Sequence, residues 1–287
     1  ALSMRVLWIS NFINIVLDPC LIFGLGPFPE LGIAGAAIAT TIGRGTGVIV
    51  QMYFLFNGKH RIRIILRDFK IRIRIMIKLI RISLGGIGQF LISTTSWIGL
   101  VRIMSTFGSS ALAGYTIGIR ILIFSILPSW GLSNAAATMV GQNLGAKKPE
   151  RAERSVIITS KINFIFLTFV AVLFFLFAEE FVRIFTSEPG VIIAGKDALR
   201  LISFALPFYA IGMVMIQALN GSGDTKTPTI INFFCFWLTE IPVAYILSMK
   251  LGFHAHGVYL AIILADILIA IIGVIVFKKG KWKETKV

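Results

Sequence analysis

Residues 11–26 read NFINIVLDPCLIFGLG, an apolar run fit to cross a membrane with a carboxylate, Asp18, in its middle. Asn14 lies one helical turn before Asp18, so both side chains project from one helix face. A carboxylate inside hydrocarbon costs about 2.5–3.5 kcal/mol on insertion scales and is functional by default. Carboxylate, amide and hydroxyl oxygens suit a hard cation such as Na+. Burial also raises an Asp pKa, so the same group can carry a proton instead. A structural alternative stands beside these: Asp18 hydrogen-bonds a backbone disturbed at Pro19, whose ring removes a donor and frees a carbonyl.

The whole chain shares this character. Of its 287 residues 56% are hydrophobic and 14% charged, and the mean hydropathy is +0.88. A soluble domain would need more polar surface, so the excess belongs in lipid. Apolar runs long enough to span about 30 Å of hydrocarbon fall near 4–25, 32–56, 79–106, 110–143, 155–177, 197–219, 228–250 and 257–277. The fold expected is an all-α polytopic membrane protein with about eight spans. The net charge of +15 is not spread as a nucleic-acid binder would have it. Lys59 to Arg81, Lys147 to Arg154, Lys226 and Lys278 to Lys286 crowd every second loop, and the alternate loops carry few basic residues. That pattern places both ends of the chain in the cytoplasm, with the bilayer and no nucleic acid as partner. Cys20 and Cys235 fall inside spans and imply no disulfide framework.

Residues 58–78 form a basic amphipathic connector, expected to lie along the inner membrane face. It separates two spans (1–57) from six (79–287). The pair before it echoes the last pair: each has a span with an acid near a proline, then a Gly-bearing loop, then a span opening on small residues. The first two spans therefore read as the end of one six-helix bundle and the last six as a complete second bundle. The chain, starting at Ala1, reads as beginning partway through a longer protein. Glu240, two residues before Pro242, is the repeat counterpart of Asp18 and a candidate second acid, with pairing to Arg102 or Arg120 as its structural alternative. Gly35, Ala39, Gly43 and Gly47 make a bare stripe on the second span, suited to close helix packing. Gln89, Ser93, Trp97, Tyr115 and Asn134 would give a cavity wall for flat amphipathic cations through cation–π and dispersion contacts. His254 and His256 read as solvent-exposed loop histidines. Walker A, nucleophile-elbow and metalloprotease patterns are missing, so the chain is not expected to be an enzyme or to hold a cofactor.

The stretch GLSNAAATMVGQNLGAKKPERAERS (131–155), with NIVLDPCLIFGLGPFPELGIAGAAIATTI, FGSSALAGYTIGIRI and ALNGSGDTKTP, resembles the multidrug and toxic compound extrusion (MATE) family. The resemblance covers essentially the whole chain and implies spans five to twelve of a twelve-span transporter, truncated at its N-terminus. It implies export of drugs or toxic organic cations across the inner (plasma) membrane by alternating access, in exchange for Na+ or H+, by a monomer. NIVLDP is most similar to the DinF-like branch, where the resemblance places a cation site on Asn14, Asp18 and Thr40. The NorM-like acids on the seventh and tenth spans have no counterpart in GGIGQFLISTTSWIGL and LPFYAIGMVMIQAL. Two other readings stay open. A flippase for lipid-linked saccharides would need Arg102 and Arg120 in a cavity. A non-transporting membrane scaffold would explain a chain with two of six N-lobe spans.

Overall fold

The computed structural model describes residues 2–57 and 72–284. Most of the connector expected along the inner membrane face lies outside the described residues. The chain divides into two compact units, Ala1–Met76 and Ile77–Val287.

The first unit is a hairpin of α1 (Leu2–Phe23) and α2 (Gly32–Phe56). Its turn is closed by Leu31 N–H donating to the Leu21 carbonyl at 3.0 Å. The buried residues of α2 are Gly35, Ala39, Gly43 and Gly47, the stripe read from the sequence. The approach is close because those positions are bare. A Cβ on Gly35 would stand 2.2 Å from the Leu21 carbonyl oxygen. Lipid offers no hydrophobic drive between helices, so such backbone contact is what holds them. Ser10 Oγ adds a 2.7 Å hydrogen bond to the Gly43 carbonyl.

The second unit holds all but the first turn of α3 (Ile73–Met104), then α4 (Ser109–Gly145), α5 (Pro149–Leu176), α6 (Ala178–Arg183), α7 (Pro189–Ser203), α8 (Leu206–Gly221), α9 (Lys226–Lys250) and α10 (His254–Lys278). Across the described residues seven helices are long and apolar enough to cross a membrane, or eight if a bent pair forms one span. That pair, α7 and α8, covers the run expected as one span at 197–219 and bends by 53°. The cause is local. Pro207 cannot donate to the Ser203 carbonyl, and its ring crowds that group. Phe204 and Ala205 N–H turn instead to Leu201 and Ile202, three residues back.

Proline also reshapes α9. Pro242 cannot donate to Leu238, and the Ile241 N–H reaches back five residues to Phe236. Phe233–Glu240 is consequently π-helical, a geometry frequent at functional sites. The helix starts on a motif with a structural job: Asp224 Oδ1 accepts from the Thr227 N–H at 3.1 Å and Oδ2 from the Thr227 hydroxyl at 2.5 Å. That side chain caps the first turn of α9. His254 and His256 open α10 rather than lying in a loop, and His256 Nε2 comes within 3.9 Å of Asp197.

Beside the α6–α7 turn, outside the long spans, Lys196 Nζ donates to Glu179 at 2.7 Å and Arg183 Nη2 at 2.8 Å. These hydrogen bonds hold the Glu179 carboxyl down at about 2. A carboxyl depressed in the folded state stabilises it above the unfolded pKa and loses that effect as pH falls through the folded value. Glu179→Gln should therefore lower the thermal midpoint slightly at pH 7. The gap to the parent should close between pH 4.5 and about 2, and should narrow in high salt because the group is half-exposed. Thermal scans across pH and salt check this.

Candidate functional site

In the first unit the antiparallel register brings two of the three expected cation ligands together. Asn14 Nδ2 donates to Thr40 Oγ1 at 3.5 Å, the long end of hydrogen-bonding range. This leaves the Asn14 carbonyl oxygen and the remaining lone pair of Thr40 available. One turn further along α1, the Asp18 Oδ1 atom is buried without a hydrogen-bond partner. Asp18 makes no hydrogen bond to the backbone near Pro19 among the described residues, so the structural alternative for it finds no support there. Arg44, the basic residue inside the second span, is also set apart from Asp18: Asn14 pairs with Thr40 and Ser10 with Gly43, which puts Arg44 more than two turns, roughly 13 Å, along the hairpin from it.

In the second unit the candidate acid Glu240 is 5% exposed and accepts a 2.6 Å hydrogen bond from Ser96 Oγ on α3. It borders a cavity of about 200 Å³ whose wall includes Ser93, Trp97, Tyr115 and Asp266. Three of the five expected cavity residues thus meet here. Arg102 and Arg120 are exposed and do not line it, and no described ion pair joins either to Glu240 or Asp266. Trp130 Nε1 donates to Tyr209 Oη at 2.7 Å, bracing another wall residue.

Gln89 and Asn134 fall elsewhere. Both belong to a chain of amides: Gln89 and Asn220 exchange two 3.1 Å hydrogen bonds, Asn220 donates to Gln217, and Gln217 donates to Asn134. Gln89 also donates to the Thr225 carbonyl at 3.3 Å. The chain ties α3, α4 and α8 together instead of lining the cavity. Asn220 is its node, so Asn220→Ala should destabilise the unit by about 1–2 kcal/mol. Thermal unfolding in detergent checks this, with Asn143→Ala, whose only described side-chain hydrogen bond is within its own helix, expected to cost less.

Residues 86–246 match the family model described as MatE. The chain belongs to the MatE family. Among its relatives, the probable multidrug resistance protein NorM of Thermotoga maritima is 30% identical over 291 residues, an alignment covering 99% of this chain and 61% of that protein. Two solved structures are similar in fold. One is an outward-facing multidrug resistance MATE family transporter of the MOP superfamily (TM-score 0.87, 26% identity, 98% of this chain and 63% of that one). The other is a MATE in the straight conformation (TM-score 0.88, 25% identity, 98% and 63%). The chain spans about three fifths of the length of the relatives it matches.

In this MatE chain the residues that sequence reasoning left out of the site are Ser96 and Asp266, and those it left out of the amide chain are Gln217 and Asn220. Asp266 was visible as an acid inside a span. Ser96 was not distinguishable from its hydroxyl neighbours Thr94 and Thr95, because its role depends on which face of α3 meets the π-helical turn of α9. Among the described residues no group of three or more His, Cys, Asp or Glu could hold a metal, so a cation at Asp18 would rely on amide and hydroxyl oxygens.

Proposed function

We infer that this multi-pass membrane chain is part of a cation-coupled exporter of amphipathic or cationic organic compounds, working by alternating access. Residues 1–57 are the end of the N-lobe and 79–287 the C-lobe, with both ends of the chain on the cytoplasmic side of the inner (plasma) membrane. The observation that carries this reading is the buried, unpartnered Oδ1 of Asp18, one turn from the Asn14–Thr40 pair. An oxygen so placed gains a partner when Na+ or a proton arrives and loses it on release. That differential contact is what biases one helix arrangement over another. The DinF-like assignment of the same three residues agrees with it. The name of the Thermotoga relative, a probable multidrug resistance protein, supports the substrate class.

The flippase reading loses support, because Arg102 and Arg120 do not line the described cavity. The test of transport is efflux of a fluorescent organic cation from cells making the full-length protein. Efflux should stop when the ion gradient is collapsed, and Asp18→Asn should match cells lacking the protein at equal expression. Unchanged, gradient-dependent efflux by Asp18→Asn would remove Asp18 from the mechanism.

A further inference from the structure

We propose that the outer face of α5 binds one anionic phospholipid, with its phosphate between Arg154 and Lys161 and its acyl chain along the apolar residues beyond. Arg151, Arg154, Ile158, Lys161, Ile165 and Phe169 follow one another at three- and four-residue spacings, so they share one face of the helix. All six are exposed. The buried residues of α5, among them Ala152, Val156, Ser160, Asn163 and Leu167, take the opposite side and meet the rest of the unit.

Lys161 carries the proposal. The apolar part of α5, 156–176, is about as long as hydrocarbon is thick, and Lys161 falls about 8 Å inside it. A charge at that depth is costly and calls for a partner. Among the described residues no ion pair reaches Lys161, Arg151 or Arg154. Helix side chains lean toward the N-terminus, so the long stem of Lys161 points back toward Arg154, whose Cα stands about 10 Å away along the axis. A phosphate in that gap has a cation on either side.

The local acids do not compete. Glu153 accepts from Lys283 and is occupied there. Glu150 lies one turn before Arg154, and no described ion pair joins the two. Lys147 and Lys148, both exposed, add to the positive charge at this end of α5. Charge and apolarity together choose the occupant. A soluble anion would use the basic end and leave Ile158, Ile165 and Phe169 idle. A zwitterionic lipid brings its own cation and gains less from Arg154 and Lys161. An anionic phospholipid matches both parts of the face. The site requires only that α5 spans a bilayer, so it does not rest on the transport reading.

The test is native mass spectrometry of the full-length protein, delipidated in non-ionic detergent and titrated with phosphatidylglycerol, phosphatidylcholine or inorganic phosphate. The first phosphatidylglycerol should bind about tenfold or more tighter than the first phosphatidylcholine. Lys161→Gln should weaken it about fivefold, and Arg154→Gln with Lys161→Gln about thirtyfold, as loss of one and two near-surface charges implies. Lys161→Arg, which keeps the charge, should bind like the parent. So should Lys250→Gln, which removes an exposed lysine on α9. Equal binding of the two lipids, the result if another helix covers this face, would overturn the assignment. So would unchanged phosphatidylglycerol binding by the double variant, or its displacement by equimolar inorganic phosphate, which would make the occupant a free anion. If a variant does not fold, the comparison of the two lipids on the unaltered protein still decides.

Discussion

Gly114→Leu should leave the second unit unable to pack. A Cβ at Gly114 would lie 2.5 Å from the Gly195 nitrogen and 2.8 Å from the Ala194 carbonyl carbon. Those are backbone atoms of α7, and they cannot swing aside as a side-chain tip would. The helices must separate, and separation forfeits contacts along the whole α4–α7 seam, where Gly118 also faces Ala198. Overpacking a well-filled site typically costs about 1–3 kcal/mol, and backbone collision with a branched side chain belongs at or beyond the upper end. The expected result is a protein that is aggregated or strongly destabilised on size-exclusion chromatography and thermal scanning. Gly131→Leu is the internal control on the same helix. A Cβ there meets nothing within 4 Å, so its midpoint should stay near the parent's. Equal behaviour of the two variants would refute the α4–α7 contact.

The glycines show what a sequence can reveal about such a fold. The stripe Gly35, Ala39, Gly43 and Gly47 was legible because a four-residue spacing maps onto one helix face whatever the partner is. The spans were legible because hydrocarbon demands runs of apolar residues. The Asp18–Asn14 relation was legible because it is local to one helix. Less could be read where the same composition permits several backbones. Pro207 and Pro242 both sit in apolar helices; one accompanies a 53° bend and the other a π-helical turn. Which outcome follows depends on what packs alongside, and no local pattern encodes that.

The cavity shows the same limit at the level of side chains. Glu240 could be flagged as an acid inside a span, but its hydrogen bond to Ser96 crosses 144 positions of sequence. Gln89 and Asn134 looked like cavity polar groups because long amides in spans often are. The structure spends them on each other's neighbours, Asn220 and Gln217. Polar residues in a membrane must find partners, and whether the partner is a ligand or another side chain is a matter of tertiary geometry. Asp18 differs from these residues in keeping a buried oxygen with no partner among the described residues.

That difference makes Asp18→Asn the substitution with the largest expected functional effect. Asn keeps the volume and one carbonyl oxygen but removes the negative charge and the capacity to take up a proton. Loss of one member of a buried charge pair costs about 2–5 kcal/mol, a fall of roughly thirtyfold or more in ion affinity. Thr40→Ala, which removes one neutral oxygen, should be milder. The full-length protein in sealed liposomes, with Na+ and H+ movements followed separately on addition of an organic cation, gives the most direct readout. The account predicts substrate-driven flux of one of the two ions, falling to the level of protein-free liposomes in Asp18→Asn while folding and incorporation are unchanged. Substrate-driven ion flux at the parent's rate in Asp18→Asn would contradict it.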